Sequence, residues 1–149
     1  MATIHLPPDF KEFLQLLNSR GVEYLVVGGY AVGFHGYPRA TADLDIWIAA
    51  TEKNAEKLEG VLRDFGFDLP ELSKDLFLEK DRIVRMGTPP VRVEILTSIS
   101  GVQFHRCYTS RETTEIDGVK VDFISLEHLK ANKKAAGRHQ DLSDLEHLP

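Results

Sequence analysis

Val26-Val27-Gly28-Gly29-Tyr30-Ala31-Val32 leads through His35-Gly36-Tyr37-Pro38-Arg39-Ala40-Thr41-Ala42 into Asp43-Leu44-Asp45-Ile46-Trp47-Ile48. An apolar run ends in two glycines, a short helical segment follows from about Tyr30 to His35, and a second apolar run opens with two carboxylates. Residues two apart on a strand project to the same face. Asp43 and Asp45 therefore point together, while Leu44, Ile46 and Ile48 point the other way, into the core. Carboxylates held this close repel one another unless a cation lies between them. Oxygen-only ligands favour a hard ion, Mg²⁺ or Mn²⁺. Gly28 and Gly29 leave room for another group to approach the backbone, and the helix after them offers free N–H groups to an anion. A phosphate cradle beside a divalent-metal site is the equipment of phosphoryl or nucleotidyl transfer. Asp-x-Asp alone is an ordinary solvated strand start, and Gly-Gly alone an ordinary turn. Their order and spacing between two apolar runs carry the reading.

Outward from this stretch, the elements follow from periodicity. Pro7-Pro8-Asp9 precedes Phe10, Phe13, Leu14 and Leu17, an amphipathic helix with Asp9 as N-cap and Gly21 as its end. Val22 to Val27 reads as a first buried strand. Thr51 to Asn54 opens a helix carrying Ala55, Leu58, Val61, Leu62 and Phe65, closed by Gly66. Residues 67–80 are acidic and irregular, a loop over one side of the site. Ile83 to Met86 and Val91 to Leu96 read as strands joined through Gly87-Thr88-Pro89-Pro90. Asp117-Gly118 between Arg111–Ile116 and Val119–Ile124 signals a hairpin. Two helices finish the chain, from Ser125 to about Ala136 and from about His139 to Leu148.

The 149 residues suit one domain, with enough chain for a real core. At 42% hydrophobic and 28% charged, the composition is that of an ordinary soluble globule. The single cysteine, Cys107, excludes an internal disulfide framework and fits a reducing cytoplasm. No CxxC or His/Cys cluster suggests zinc, the apolar stretches are too short to span a bilayer, and Met1-Ala2-Thr3-Ile4-His5 lacks the features of a leader. A net charge of −5 argues against a protein that coats nucleic acid, though not against a local basic cleft.

In Val91-Arg92-Val93-Glu94-Ile95-Leu96, Val93 and Ile95 share one face and Arg92 and Glu94 the other. Glutamate is a poor former of mid-strand structure. Either Glu94 lies on an exposed face, paired across the strand with Arg85, or it is a third acid beside Asp43 and Asp45. In the second case it holds a metal or accepts the proton of an attacking hydroxyl. Near the C-terminus, Leu126, Leu129, Lys133 and Ala136 fall on one helical face, so Lys133 either snorkels out or points into a cleft. Lys130, Lys134 and Arg138 add positive charge, suited to the helix dipole or to a phosphate. Asp141 reads as an N-cap of the last helix, Asp144 as an acid in its first turn, and Leu142, Leu145 and Leu148 as its core stripe.

Gly28-Gly29, Asp43-x-Asp45 and Glu94 together resemble the pattern of the DNA polymerase β-like nucleotidyltransferases. The fuller strings Gly28-Gly29-Tyr30-Ala31-x-x-x-His35-Gly36-x-x-Arg39-x-Thr41-x-Asp43-Leu44-Asp45 and Asn132-Lys133-x-Ala135-x-Gly137-Arg138-x-x-Asp141-Leu142-x-Asp144 are similar to small stand-alone bacterial members. Those sit near the AbiEii/MenT-like toxins of type IV toxin–antitoxin systems. The resemblance implies an α+β fold, with a mixed sheet, helices packed on it and two C-terminal helices, as a single domain over residues 1–149. It implies an NTP over Gly28-Gly29 and metal on Asp43, Asp45 and Glu94. Tyr30, Arg39, Thr41, Lys133, Arg138 and Asp141 fall in the strings that surround the nucleotide. The chain departs from the pattern in three ways. Gly29 replaces a common serine, Glu94 replaces a common aspartate, and a large RNA-holding helical domain is missing.

The leading expectation is a Mg²⁺-dependent enzyme that moves a nucleoside monophosphate from an NTP to a hydroxyl of RNA, such as tRNA, or of a protein. A second reading is an antitoxin-like subunit that adenylylates a partner toxin. A third is a non-catalytic nucleotide-sensing or toxin-binding module that keeps the fold.

Overall fold

Tyr24–Val27 (β1) is buried at all four positions, which places this short aromatic and β-branched run at the centre of the sheet. It pairs antiparallel with β2 (Asp43–Ile48) on one side and parallel with β6 (Val119–Phe123) on the other. Beyond β2 lies β4 (Val91–Leu96), parallel to it, and then β3 (Ile83–Thr88), antiparallel to β4. Glu112–Ile116 (β5) pairs antiparallel with β6 and closes the other edge. The order is β3-β4-β2-β1-β6-β5, a mixed six-stranded sheet. The computed structural model describes residues 5–68, 70–88 and 90–149, so Pro89 of the expected β3–β4 connection, and Met1 to Ile4 of the segment judged not to be a leader, lie outside the described residues.

Pro8–Ser19 (α1) buries Phe10, Phe13, Leu14 and Leu17, the stripe that its sequence spacing requires. Pro7, not Asp9, is the N-cap, because Pro8 suits the first helical turn, where its missing N–H costs nothing. Glu52–Phe65 (α3) packs against α1 and buries Ala55, Leu58, Val61 and Leu62. Its cap is as expected: Thr51 Oγ1 accepts from the Asn54 N–H at 3.3 Å. Residues 67–80 include a short 3-10 turn, Lys74–Phe77, which anchors the loop through buried Phe77. Phe104–Thr109 (α4) has no counterpart in the sequence reading, since six residues are too few to display a period. Leu126–Ala136 (α5) starts at Ser125, whose hydroxyl accepts from the His128 N–H at 3.2 Å.

The last helix, α6 (His139–His147), keeps only part of the expected leucine stripe: Leu148 at its C-cap is buried and Leu145 half-buried. Leu142 is 49% exposed, while Asp141 and Asp144 are buried. Arg138 is the N-cap, and Asp141, three residues on, accepts from the Arg138 N–H at 3.1 Å. The carboxylates face inward because cations from two other elements meet them there, which a helical wheel of one segment cannot show.

Candidate active site

Gly28–Phe34 (α2) begins directly on the last residue of β1, so Gly28 and Gly29 form its first turn and do not precede it. Gly28 has φ +67°, and a Cβ there would stand 2.0 Å from Asp45 Oδ2. A Cβ on Gly29 would stand 2.4 Å from Thr41 Oγ1 and 2.7 Å from Thr41 Cβ. Neither position admits a side chain without moving its neighbour. The two glycines are therefore the means by which the β1–α2 turn lies flat against the carboxylate of Asp45 and the hydroxyl of Thr41.

The register of β2, β4 and β3 sets the charges on the exposed end of one sheet face in two rows. Asp45 is the partner of Glu94, and Glu94 of Arg85. Asp43 is the partner of Arg92, and Arg92 of Gly87. Leu44, Ile46, Val93 and Ile95 fill the opposite face and are buried. On the same face as the acids, Trp47 packs edge-on against Phe104 of α4, with ring centroids 5.1 Å apart, so the far end of that face is covered.

The three carboxylates stand in different environments. Arg92 grips Asp43 with two hydrogen bonds, Nε to Oδ1 at 3.1 Å and Nη2 to Oδ2 at 2.9 Å, and holds its carboxyl below the usual range. Glu94 accepts from Arg85 Nε at 2.9 Å, so the cross-strand pairing and the place beside Asp45 are both realised. Asp45 has no such partner. Burial, then the negative charges of Glu94 and Asp43, push its pKa from 3.8 up to about 7. Its Oδ1 is buried with no hydrogen-bond donor in reach among the described residues. No group of three His, Cys, Asp or Glu side chains is gathered among the described residues as a ready-made cation cluster.

The remaining residues of the sequence reading divide around the glycine turn. Gly28, Asp45, Glu94, Arg85, Lys133 and Arg138 line a cleft of about 360 Å³. Gly29, Tyr30, Arg39 and Thr41 line a second hollow of about 230 Å³. Asp141 lines neither. It belongs to a buried ion network beneath them. Lys133 Nζ stands 3.0 Å from Asp141 Oδ1 and 3.0 Å from Asp144 Oδ2. Arg39 gives two hydrogen bonds to Asp144, at 2.8 and 3.0 Å, and Arg138 Nε bonds Asp141 at 2.7 Å. Burial raises the pKa of both acids, but the bonds from Arg138 and Lys133 to Asp141, and from Arg39 and Lys133 to Asp144, outweigh it and hold both low. Lys133 is thus neither a solvated helix end nor a free cation. It is a buried clamp at the cleft wall.

Two features escaped the sequence reading. Arg92 was visible on the face of Glu94, but its grip on Asp43 depends on a strand register that one sequence does not display. Asp144 reads in the sequence as an acid in the first turn of the last helix, and its bond to Arg39 joins residues 105 positions apart, which a local pattern does not display.

The fold is found in solved structures. A candidate nucleotidyltransferase of Thermotoga maritima (TM1012) matches with TM-score 0.60 and 18% identity, over 92% of this chain and 88% of that one. An antigenic nucleotidyltransferase-like protein of Paracoccidioides brasiliensis matches with TM-score 0.55 and 22% identity, over 92% of this chain and 72% of that one. No curated protein matches the sequence. Among the described residues no helix is long and apolar enough to cross a membrane. The family model described as "Nucleotidyl transferase of unknown function (DUF2204)" matches residues 8–149, and the chain belongs to that nucleotidyltransferase family.

Proposed function

We propose that the chain transfers a nucleoside monophosphate from an NTP to an acceptor hydroxyl, with Asp43, Asp45 and Glu94 as the catalytic carboxylates. The observation that carries this reading is Asp45 Oδ1, a buried acceptor without a donor, on a carboxylate that lies beside Glu94 and turns its other oxygen to the side-chain-free backbone of Gly28. A buried polar atom left unpaired costs about 1–3 kcal/mol, so its retention calls for a ligand. Asp45 and Glu94, register partners with only oxygen ligands, suit a hard divalent cation, Mg²⁺ or Mn²⁺, and Asp43 would complete the set once released from Arg92. When bound, such an ion supplies positive charge to phosphate oxygens and to the entering and leaving oxygens.

The rest of the chemistry belongs to the protein. The turn at Gly28 and Gly29 lets a phosphate approach the backbone closely, and Thr41 Oγ1 offers a hydroxyl beside it. Glu94, on the cleft side of Asp45, takes the proton of the acceptor hydroxyl as that oxygen attacks the α-phosphate and pyrophosphate leaves. Arg85 and Arg138 line the same cleft and offset phosphate charge. Lys133 has three N–H donors, two of them committed to Asp141 and Asp144, and the third is available to the nucleotide. The acceptor is RNA, such as tRNA, or a protein side chain. The two long strings support a role beside a cognate toxin or antitoxin, and the single cysteine supports a cytoplasmic setting.

A second reading is a non-catalytic nucleotide-binding or toxin-partner module. The arginines engaged on Asp43 and Glu94 favour it. A thermal-shift series with each NTP, with and without Mg²⁺, followed by labelled NTP plus total tRNA or lysate protein, separates the two. Label transfer to either acceptor, lost in Asp45→Asn, supports the enzyme. An NTP shift indifferent to Mg²⁺, with no transfer to any acceptor, rejects it.

A further inference from the structure

Arg92 and Asp43 are direct partners across β4 and β2, and the guanidinium spans both carboxylate oxygens at 3.1 and 2.9 Å. This is the fork-to-fork geometry that gives the strongest ion pairs. Glu94 and Asp45 face the same space, as does Arg85 through its bond to Glu94. A metal ion at Asp43 would therefore contend with a fixed positive charge already seated on the same two oxygens. On the other side of Arg92 its partner in β3 is Gly87, which presents no side chain. A Cβ on Gly87 would stand 2.3 Å from the Val91 carbonyl oxygen, so the way out for the guanidinium is towards solvent. Arg92 is about one-third exposed, so withdrawal exchanges the carboxylate for water.

We propose that Arg92 is an internal competitor of the divalent cation: it latches Asp43, and metal affinity is set by the cost of opening that latch. The inference rests on the reading of Asp43, Asp45 and Glu94 as a cation site. It adds that the free protein binds the ion weakly by construction, because the ion must first take Asp43 from Arg92. A displaced guanidinium beside bound phosphates gains a new anionic partner. Nucleotide thereby favours the open latch, and metal and nucleotide are taken up together.

Mn²⁺ binding to the nucleotide-free protein, followed by loss of the free-ion paramagnetic resonance signal, tests this without any activity readout. Arg92→Gln should bind Mn²⁺ about fivefold more tightly than the unmodified protein, the worth of one partly exposed ion pair. Arg92→Lys keeps the charge but loses the fork, and should show a smaller tightening. Lys53→Gln, the same change in net charge at an exposed residue of α3, should leave Mn²⁺ affinity unchanged. Equal or weaker Mn²⁺ binding in Arg92→Gln overturns the latch, as does an equal gain in Lys53→Gln. Should Arg92→Gln not fold by circular dichroism, Arg92→Lys decides, and affinity no tighter than that of the unmodified protein rejects the proposal. Binding by the unmodified protein without any change in the variants removes the latch alone. Absence of Mn²⁺ binding in every variant, with or without a non-hydrolysable nucleotide, removes the latch and the cation-dependent reading together.

Discussion

Asp45 and Glu94 are register partners on the parallel pair β2–β4, and only Glu94 has a guanidinium to answer its charge. Burial and the charge of Glu94 raise the Asp45 pKa from 3.8 to about 7. The folded state then binds the proton more tightly than the unfolded chain, so stability falls as pH rises between those values. In the presence of chelator, urea denaturation should show this decline from about pH 4 to 7. Asp45→Asn should flatten it and leave the protein more stable at pH 7 by a few kcal/mol, up to the roughly 4 kcal/mol that such a shift represents. A parallel decline in the variant would assign the slope to another group.

Asp43 behaves in the opposite sense. Its carboxyl is held low by Arg92, so its contribution is present above its unfolded value of 3.8 and is lost as pH falls below it. Asp43→Asn should cost up to about 1 kcal/mol at neutral pH, the scale of a partly exposed ion pair. The two aspartates look equivalent in sequence, yet calorimetry should separate them by sign. A gain of stability in Asp43→Asn would show that the Arg92 pair does not hold in solution.

Lys133→Ala would leave Asp141 and Asp144 buried with one cation fewer. Breaking a buried pair from one side costs about 3–5 kcal/mol, enough to dominate any loss of nucleotide affinity. Chemical denaturation should report a large drop in midpoint, and Asp144→Ala, which strands Arg39 as well as Lys133, one at least as large. A variant of ordinary stability would return Lys133 to the role of a simple phosphate contact.

Gly29→Ala should disturb the site through Thr41, since the added Cβ meets Oγ1 at 2.4 Å and Cβ at 2.7 Å. Thr41→Gly removes both atoms. In a double-mutant cycle on thermal stability, Gly29→Ala should therefore cost less in the Thr41→Gly background than alone, by about 1 kcal/mol or more. Additive effects would place the strain elsewhere. Gly28→Ala, at φ +67° and 2.0 Å from Asp45 Oδ2, has no such rescue and should be the more damaging of the two.

Glu94→Gln keeps the volume and loses the charge. As the base for the acceptor hydroxyl it should lower the transfer rate by about 10²-fold or more, with a much smaller change in NTP affinity. Glu94→Asp should retain activity, because the carboxylate survives. A Glu94→Gln protein that turns over normally would leave Glu94 as the partner of Arg85 and nothing more.

What could be read from the sequence was whatever is written at short range. The Asp43–Ile48 strand and the α3 stripe declare themselves through a two- or four-residue period, and the Thr51 cap and the β5–β6 hairpin through the residue types at Thr51 and Asp117-Gly118. The orientation of each acid on its own strand was legible too, but the meeting of Asp45 with Glu94 came only through the resemblance to the nucleotidyltransferase pattern. The pairing of Arg92 with Asp43 was not legible, since a parallel register between segments 49 residues apart leaves no local trace. Nor was the inward turn of Asp141 and Asp144. Hydrophobic periodicity assumes that the buried face is apolar, and on α6 the leucine at 142 lies outside while the acids lie within.

The bond between Arg39 and Asp144 joins residues 105 positions apart. During synthesis the loop that carries Arg39 and Thr41 leaves the ribosome long before its anchoring acid has been made. The nascent chain has no Asp144 to fix Arg39 until α6 emerges. The hollow lined by Gly29, Arg39 and Thr41 is thus among the last parts to set, and a chain that stops short of Asp144 is left with the acids of the sheet face but not the floor beneath them.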